Sequence, residues 1–121
     1  MRIGQGFDAH KIIPGKGMIL GGVEINSDYS IEAHSDGDII LHALSDALLG
    51  AAALGDLGKF FPSEDVKFKN QSSRVILKSV AQKVYAEEYK IENIDITFIG
   101  EQPRLNKFIN LIRQNIAEDL N

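Results

Sequence analysis

The chain has 121 residues, 44% of them hydrophobic and 25% charged, with a formal net charge of -4 and no cysteine. That length fits one domain with a real core and the composition is that of an ordinary soluble globular protein; without cysteine, disulfides, thiolate metal sites and cysteine nucleophiles are excluded, so any metal must be held by His, Asp and Glu. The negative charge argues against nucleic acid as a partner, and the longest apolar stretch, residues 47–54, is too short for a membrane span, with no signal peptide opening at Met1-Arg2-Ile3.

In chain order, residues 2–10 and 18–25 read as strands joined through "IIPGKG", whose Pro14-Gly15 and Gly17 are turn chemistry, so the pair reads as a hairpin with a generous loop. A polar connection, "NSDYSIEAHSDGD", leads into a helix over residues 38–50, with Ile39, Ile40, Leu41, Ala43, Leu44, Ala47 and Leu48 at helical spacing and Ser35 or Asp36 as N-cap. "GAAALGDLGKFFPSED", with three glycines and a proline, reads as a shaped loop. A second helix spans residues 72–88 on the period of Val75, Ile76, Val80, Val84 and Tyr85. "IENIDITFIG" alternates Ile94, Ile96 and Phe98 as a strand, and Leu105, Phe108, Ile109, Ile112, Ile116 and Leu120 mark an amphipathic helix over residues 103–120. The order implies an α+β fold, a small mixed sheet with helices packed on one face. About three strands are accounted for, fewer than the common four to six.

All three histidines, His10, His34 and His42, fall within the first 42 residues. On a strand, Asp8 and His10 point to one face. On the first helix, Asp38, His42 and Asp46 are four residues apart and form a polar stripe among Ile, Leu and Ala. Imidazole and carboxylate suit a borderline divalent ion, and a catalytic zinc site takes three protein ligands and keeps one position open. Asp8, His10 and His42 are one such set. An Asp-x-His strand pair is also an ordinary hydrogen-bonding feature, and a His between two Asp is also an ion-paired helix face. The residues alone leave the metal and the structural readings both open.

"HSDGD" offers backbone N–H groups at a helix N-terminus, where phosphate binds, or is a plain capped start. "GDLGKFFP" either wraps a ligand or plugs the core with Phe60 and Phe61. In "GEQPRLN", Arg104 either meets an anion or faces solvent.

Taken together, "RIGQGFDAH", "LGGVEI", "AHSDGDIILHALSDALLGAAALGDLGKFFP", Ser73-Arg74, "IDITFI" and "IAEDL" resemble the 2-C-methyl-D-erythritol 2,4-cyclodiphosphate synthase family, from the first residue almost to the last. The resemblance implies a homotrimer with active sites at subunit interfaces. It implies a phosphorus–oxygen lyase of non-mevalonate isoprenoid biosynthesis, in which the 2-phosphate of 4-diphosphocytidyl-2-C-methyl-D-erythritol 2-phosphate attacks the β-phosphate. The cyclic diphosphate closes and CMP leaves. By position, zinc or another divalent cation would sit on Asp8, His10 and His42, with magnesium or manganese on the substrate diphosphate. Asp8, His10, His34 and Ser35 would meet the substrate's phosphates, His34 helping to stabilise the transition state. Asp56, Leu57 and Gly58 with Phe61, Pro62, Ser63, Glu64 and Asp65 would line the methylerythritol pocket. Gly100, Glu101, Gln102, Pro103, Arg104, Leu105 and Asn106 would hold the cytidine moiety of a neighbouring subunit's site.

A bacterial cytoplasm or plastid-type organelle matrix is the implied location. Ser63 stands where the family usually has an acidic residue, and Gln5 replaces a frequent His. The family continues with a strand carrying a Thr-Thr-Glu segment that this chain lacks, so residues 1–121 are expected to be one synthase domain of a longer protein. A metal-stabilised assembly or binding subunit without turnover is the alternative reading.

Overall fold

The structure, a computed structural model, describes residues 1–62, 65 and 70–121. Its sheet region starts from "GMILGGVEIN", in which two short alternating runs flank Gly21-Gly22. Both glycines have positive φ, +59° and +75°, the conformation a two-residue hairpin turn requires and a side chain resists. The result is an antiparallel hairpin of β2 (Gly17–Leu20) and β3 (Val23–Asn26), with Met18 opposite Ile25 and Leu20 opposite Val23. Those four side chains are buried, and Glu24 and Asn26 alternate outward. Outside it, β1 (Ile12–Pro14) pairs antiparallel with β4 (Tyr29–Ile31), Ile12 opposite Ile31.

Two helices cover the hairpin's apolar face. Helix α1 (Ile39–Ala51) turns Ile40, Leu41, Leu44, Leu48 and Leu49 inward, and α3 (Ser73–Ala86) adds Ile76, Leu77, Val80 and Val84 to the same core. Leu41, Leu49, Leu77 and Val80 are essentially solvent-free, and each contributes about 1.5–3 kcal/mol by burial. A one-turn helix α2 (Leu57–Phe60) caps the end of α1, and α4 (Ile109–Leu120) lays Ile112 against the core. Arg74 ties α3 to α4 with a two-pronged contact, its Nε and Nη2 donating to Asp119 at 2.8 and 2.9 Å. Asn115 Nδ2 donates to the Gly21 carbonyl at 3.0 Å and fixes α4 against the hairpin turn.

The α+β architecture stands, with corrections in detail. Residues 18–25 form two strands about the Gly21-Gly22 turn. The expected mixed sheet is instead two antiparallel two-stranded sheets among the described residues. Residues 2–10 and 94–98 carry no strand, because neither has a ladder partner among the described residues. The first segment runs along α1 instead: Arg2 Nη1 donates to the Ala51 carbonyl at 3.2 Å. A Cβ at Gly4 or Gly6 would overlap the carbonyl oxygens of Ala47 and Ala43, so only glycine lets the backbone lie this close. In the second segment Ile94 and Phe98 pack on the core while Ile96 is 36% exposed.

The α1 cap is Asp38, not Ser35 or Asp36, its side chain accepting the Leu41 N–H. The stretch expected to be a shaped loop from Gly50 onward begins inside α1 and contains α2, capped by Asp56. The last helix begins at Ile109 and not near Pro103, because Pro103 is buried and Leu105 and Phe108 anchor the approach as a turn, Phe108 N–H donating to the Leu105 carbonyl at 2.8 Å. None of the helices among the described residues is long and apolar enough to cross a membrane.

Candidate functional site

Although residues 2–10 pair with no strand among the described residues, they keep a two-residue alternation. Gly4, Gly6, Asp8 and His10 are half-buried, and the odd positions are exposed, Ile3 at 88% and Phe7 at 80%. Asp8 and His10 therefore share the face turned to α1, as the sequence spacing predicts. The contact of Gly4 and Gly6 with the carbonyls of Ala47 and Ala43 brings Asp8 level with His42, one position before Ala43 on that helix.

Three side chains converge there. His42 Nδ1 lies 3.3 Å from Asp8 Oδ2 and His10 Nε2 lies 3.6 Å from the same oxygen. The two rings meet edge to face at 5.9 Å between centroids. One ligand atom from each of Asp8, His10 and His42 falls within 4.8 Å of the others. Asp8 Oδ2 is itself buried and takes no hydrogen bond among the described residues, a costly state for a carboxylate oxygen. His10 Nδ1 is 2.8 Å from the Ala9 carbonyl, which only accepts, so the ring proton sits on Nδ1 and the bare Nε2 faces Asp8. An unsatisfied anionic oxygen facing imidazole nitrogens is a cation-shaped arrangement, and the donor set suits a borderline divalent ion. Burial lowers the His42 pKa, but the Asp8 carboxylate and the charges of Asp36 and Asp38 outweigh it, and the net shift is upward.

Below the cluster the His42 ring meets a second set of groups. Nε2 lies 2.7 Å from Ser73 Oγ and 3.4 Å from Ser35 Oγ. Ser73 hydrogen-bonds Asp36 through both its hydroxyl and its N–H, the latter at 2.9 Å. The expected stripe along α1 does not act as one unit. Asp38 is buried, with its carboxylate accepting the N–H groups of Gly21, Gly22 and Leu41. Asp46 accepts the Leu57 N–H at 2.8 Å. Only His42 of the three joins the cluster. Nothing in the spacing marks Ser73 and Asp36 as its neighbours, since Ser73 opens α3 31 residues after it and Asp36 lies 6 before it in the connection ahead of α1.

The remaining candidates lie around this centre or apart from it. Ser35 is half-buried beside His42, and its Oγ also accepts the Gly37 N–H at 3.3 Å. His34 is exposed, and its carbonyl accepts the Asn70 N–H at 3.1 Å. Asp56 caps α2, holding the Lys59 N–H at 3.1 Å, with Leu57 half-buried and Gly58 exposed. Phe61 packs on the core, and Pro62 accepts the Asp65 N–H at 3.1 Å. Ser63 and Glu64 lie outside the described residues, and with them the departure at Ser63. Residues 100–106 are exposed except for buried Pro103 and half-buried Leu105. Gln102 and Pro103 border an open cavity of about 730 Å³ with Gly15, Lys16, Asn26, Ser27, Asp28 and Tyr29. Asp8, His10 and His42 are not among its lining residues.

A sequence profile of the YgbB family matches residues 1–121. A curated relative from Buchnera aphidicola subsp. Schizaphis graminum, named 2-C-methyl-D-erythritol 2,4-cyclodiphosphate synthase, is 53% identical over 121 residues, which are 100% of this chain and 72% of the relative. Among solved structures, the bifunctional IspDF from Campylobacter jejuni superposes with a TM-score of 0.93 at 41% identity, covering 98% of this chain and 32% of its own. The Plasmodium falciparum IspF, solved as a CDP complex, superposes with a TM-score of 0.84 at 38% identity, covering 99% of this chain and 73% of its own.

Proposed function

The chain belongs to the YgbB family, and from that premise we propose that the Asp8/His10/His42 centre serves a 2-C-methyl-D-erythritol 2,4-cyclodiphosphate synthase. The reaction converts 4-diphosphocytidyl-2-C-methyl-D-erythritol 2-phosphate to the 2,4-cyclodiphosphate and CMP. A P–O bond forms between a 2-phosphate oxygen and the β-phosphorus, and the bond from that phosphorus to the bridging oxygen breaks. No water is consumed, and the nucleophile belongs to the substrate. Such a transfer asks for positioning and charge neutralisation more than for a protein nucleophile.

The observation that carries the reading is the convergence of three ligand atoms within 4.8 Å about a buried carboxylate oxygen that takes no hydrogen bond among the described residues. A divalent ion there, zinc by its donor set, would supply Lewis-acid neutralisation of a phosphate oxygen. That also lets a chain of net charge -4 take a polyanion.

The chain's own residues do the rest. Asp8 and His10 are each 22% exposed at the side chain, so the centre is reachable from solvent on their side. The Ser35 Oγ lies against the N–H of Gly37 and Nε2 of His42 as an acceptor, which leaves its hydroxyl proton for a phosphate oxygen. The His34 imidazole, one residue ahead and exposed, would donate to the same phosphates as charge builds. Asp56, Leu57 and Gly58 with residues 61–65 take the methylerythritol moiety. Residues 100–106 take the cytidine of a site completed by another subunit, which fits a border of Gln102 and Pro103 on a cavity away from the metal centre. A magnesium or manganese ion would arrive on the substrate diphosphate.

Incubating the zinc-loaded protein with the cytidine-diphosphate-linked substrate and magnesium is expected to release CMP and the cyclic diphosphate in equal amounts. Metal binding without CMP release would favour the assembly or binding subunit instead. The homotrimer is supported by large apolar side chains that this chain leaves open, Ile3, Phe7 and Ile99 at 88%, 80% and 84% exposure. Sedimentation is expected to give a species of three chain masses. A monomer at micromolar concentration would remove the interfacial part of the reading.

A further inference from the structure

The His42 ring has its two nitrogens in different company. Nδ1 faces Asp8 at 3.3 Å and Nε2 faces Ser73 Oγ at 2.7 Å. Ser73 is the first residue of α3 and wholly buried. Its hydroxyl has a single proton, and one of its neighbours, Asp36, can only accept. The Asp36 carboxylate already takes the N–H groups of Asp38 at 3.1 Å and Ser73 at 2.9 Å. The short contact between Ser73 Oγ and Asp36 Oδ1 therefore consumes the hydroxyl proton, since an ionised carboxylate has none to give. Ser73 Oγ is left as an acceptor toward His42, and the 2.7 Å contact needs a proton on Nε2. The Ser35 oxygen at 3.4 Å, itself taking the Gly37 N–H, offers the same proton a weaker second acceptor.

We propose that Asp36 and Ser73 are positioning residues that hold the His42 proton on Nε2 and so present Nδ1, bare, as the nitrogen that binds a divalent cation beside Asp8 and His10. This rests on the reading above that those three side chains hold such a cation. A carboxylate acting on a ligand imidazole through an intervening hydroxyl does what a directly bonded carboxylate does elsewhere: it fixes tautomer and ring plane and raises the basicity of the ligating nitrogen. Asp36 also takes the Ser73 N–H at the start of α3, so a clamp that merely tethers the loop to the helix is the competing account. That account leaves Nδ1 beside Asp8 as well but predicts no change in metal affinity when the Ser73 hydroxyl is lost.

The test uses protein with ¹⁵N-labelled histidine, loaded with ¹¹³Cd²⁺, in which one-bond coupling identifies the ligating nitrogen. Coupling to Nδ1 of His42 is expected, and coupling to Nε2 overturns the proposal without any variant. In the variants, Ser73→Ala is expected to lower zinc affinity by about 10–100-fold, the usual cost of losing such a partner. Ser73→Thr, which keeps the hydroxyl, is expected to recover most of it. A folded Ser73→Ala protein with unchanged affinity overturns the proposal, and if that variant does not fold the wild-type coupling decides. Should the wild-type protein bind neither zinc nor cadmium, the metal reading itself fails. The ¹⁵N shifts of the metal-free ring at alkaline pH then still decide the tautomer, an Nε2–H ring upholding the arrangement and an Nδ1–H ring refuting it.

Discussion

His42→Ala is expected to abolish divalent-metal binding at the Asp8 centre and to lower turnover by about 1,000-fold or more. The size follows from what the ring does. It is 15% exposed at the side chain and supplies one of three convergent ligand atoms. Removing it leaves Asp8 and His10 with two ligands, too few for the three-ligand site a catalytic ion requires. Lewis-acid neutralisation in such a site supplies several kcal/mol at the transition state, and about 1.36 kcal/mol is tenfold in rate. Metal content by mass spectrometry and single-turnover CMP release measure the two effects separately. Unchanged metal content in a folded His42→Ala protein would exclude this ligand set.

The same residue sets a pH signature. The His42 pKa lies above its ordinary 6.5, burial lowering it and Asp8, Asp36 and Asp38 raising it more. In the metal-free protein the folded state therefore binds its proton more tightly than the unfolded chain does. The stability this contributes is complete below 6.5 and is lost as pH rises through the higher folded value. A cation must displace that proton, so metal affinity runs the opposite way, rising with pH until the folded His42 has titrated and then levelling. Thermal melts with and without saturating zinc are expected to show the metal-free protein losing stability from neutral to mildly alkaline pH, and the metal-bound protein gaining relative to it. Parallel pH profiles for the two forms would count against His42 as the titrating ligand.

The helices were the most legible part of the chain because each buries one side. The apolar spacing placed α1 and α3 within about two residues at either end, and Ser72 caps α3 where its reading began. The hairpin departs from the single strand expected over residues 18–25 although its signal is in the sequence: Gly21-Gly22 between two short alternating runs is a turn. Segments 2–10 and 94–98 have the alternation of strands but lack partners among the described residues, and pairing is the one property of a strand that its own sequence does not encode.

The site divides along a similar line. Asp8 and His10 share a face by simple alternation, and the structure brings both to His42. The Asp36–Ser73 contact and the burial of Asp38 depend on where α3 and the hairpin turn arrive in space. Helical spacing grouped Asp38 with His42 and Asp46, but three backbone donors, two of them 16 and 17 residues away, took its carboxylate for the core.

Asp38→Ala is accordingly expected to lower global stability by about 3 kcal/mol or more, the largest loss from any single side chain outside the apolar core. The carboxylate is completely buried. Its Oδ1 accepts the N–H of Gly21 at 2.9 Å and of Leu41 at 3.1 Å, and its Oδ2 accepts the N–H of Gly22 at 2.7 Å. Alanine would leave three backbone donors without their acceptor, and each buried unsatisfied group costs about 1–3 kcal/mol. Against a total of about 5–15 kcal/mol for a domain, that change moves the chain toward unfolding at physiological temperature. Asparagine is only a partial substitute, because its amide would oppose a donor with a donor at Gly21 and Leu41 or at Gly22.

The Asp38 pKa is raised from 3.8, burial outweighing the hydrogen bonds from Gly22, Gly21 and Leu41, with the charge of Asp36 adding to the rise. For a carboxyl raised in the folded state, ionisation costs stability. That cost is absent well below 3.8 and grows as pH climbs through the folded value. Urea denaturation at neutral pH measures the balance. A loss below about 1 kcal/mol for Asp38→Ala would mean that the three N–H groups find other acceptors, and that the hairpin turn is held to α1 by packing alone.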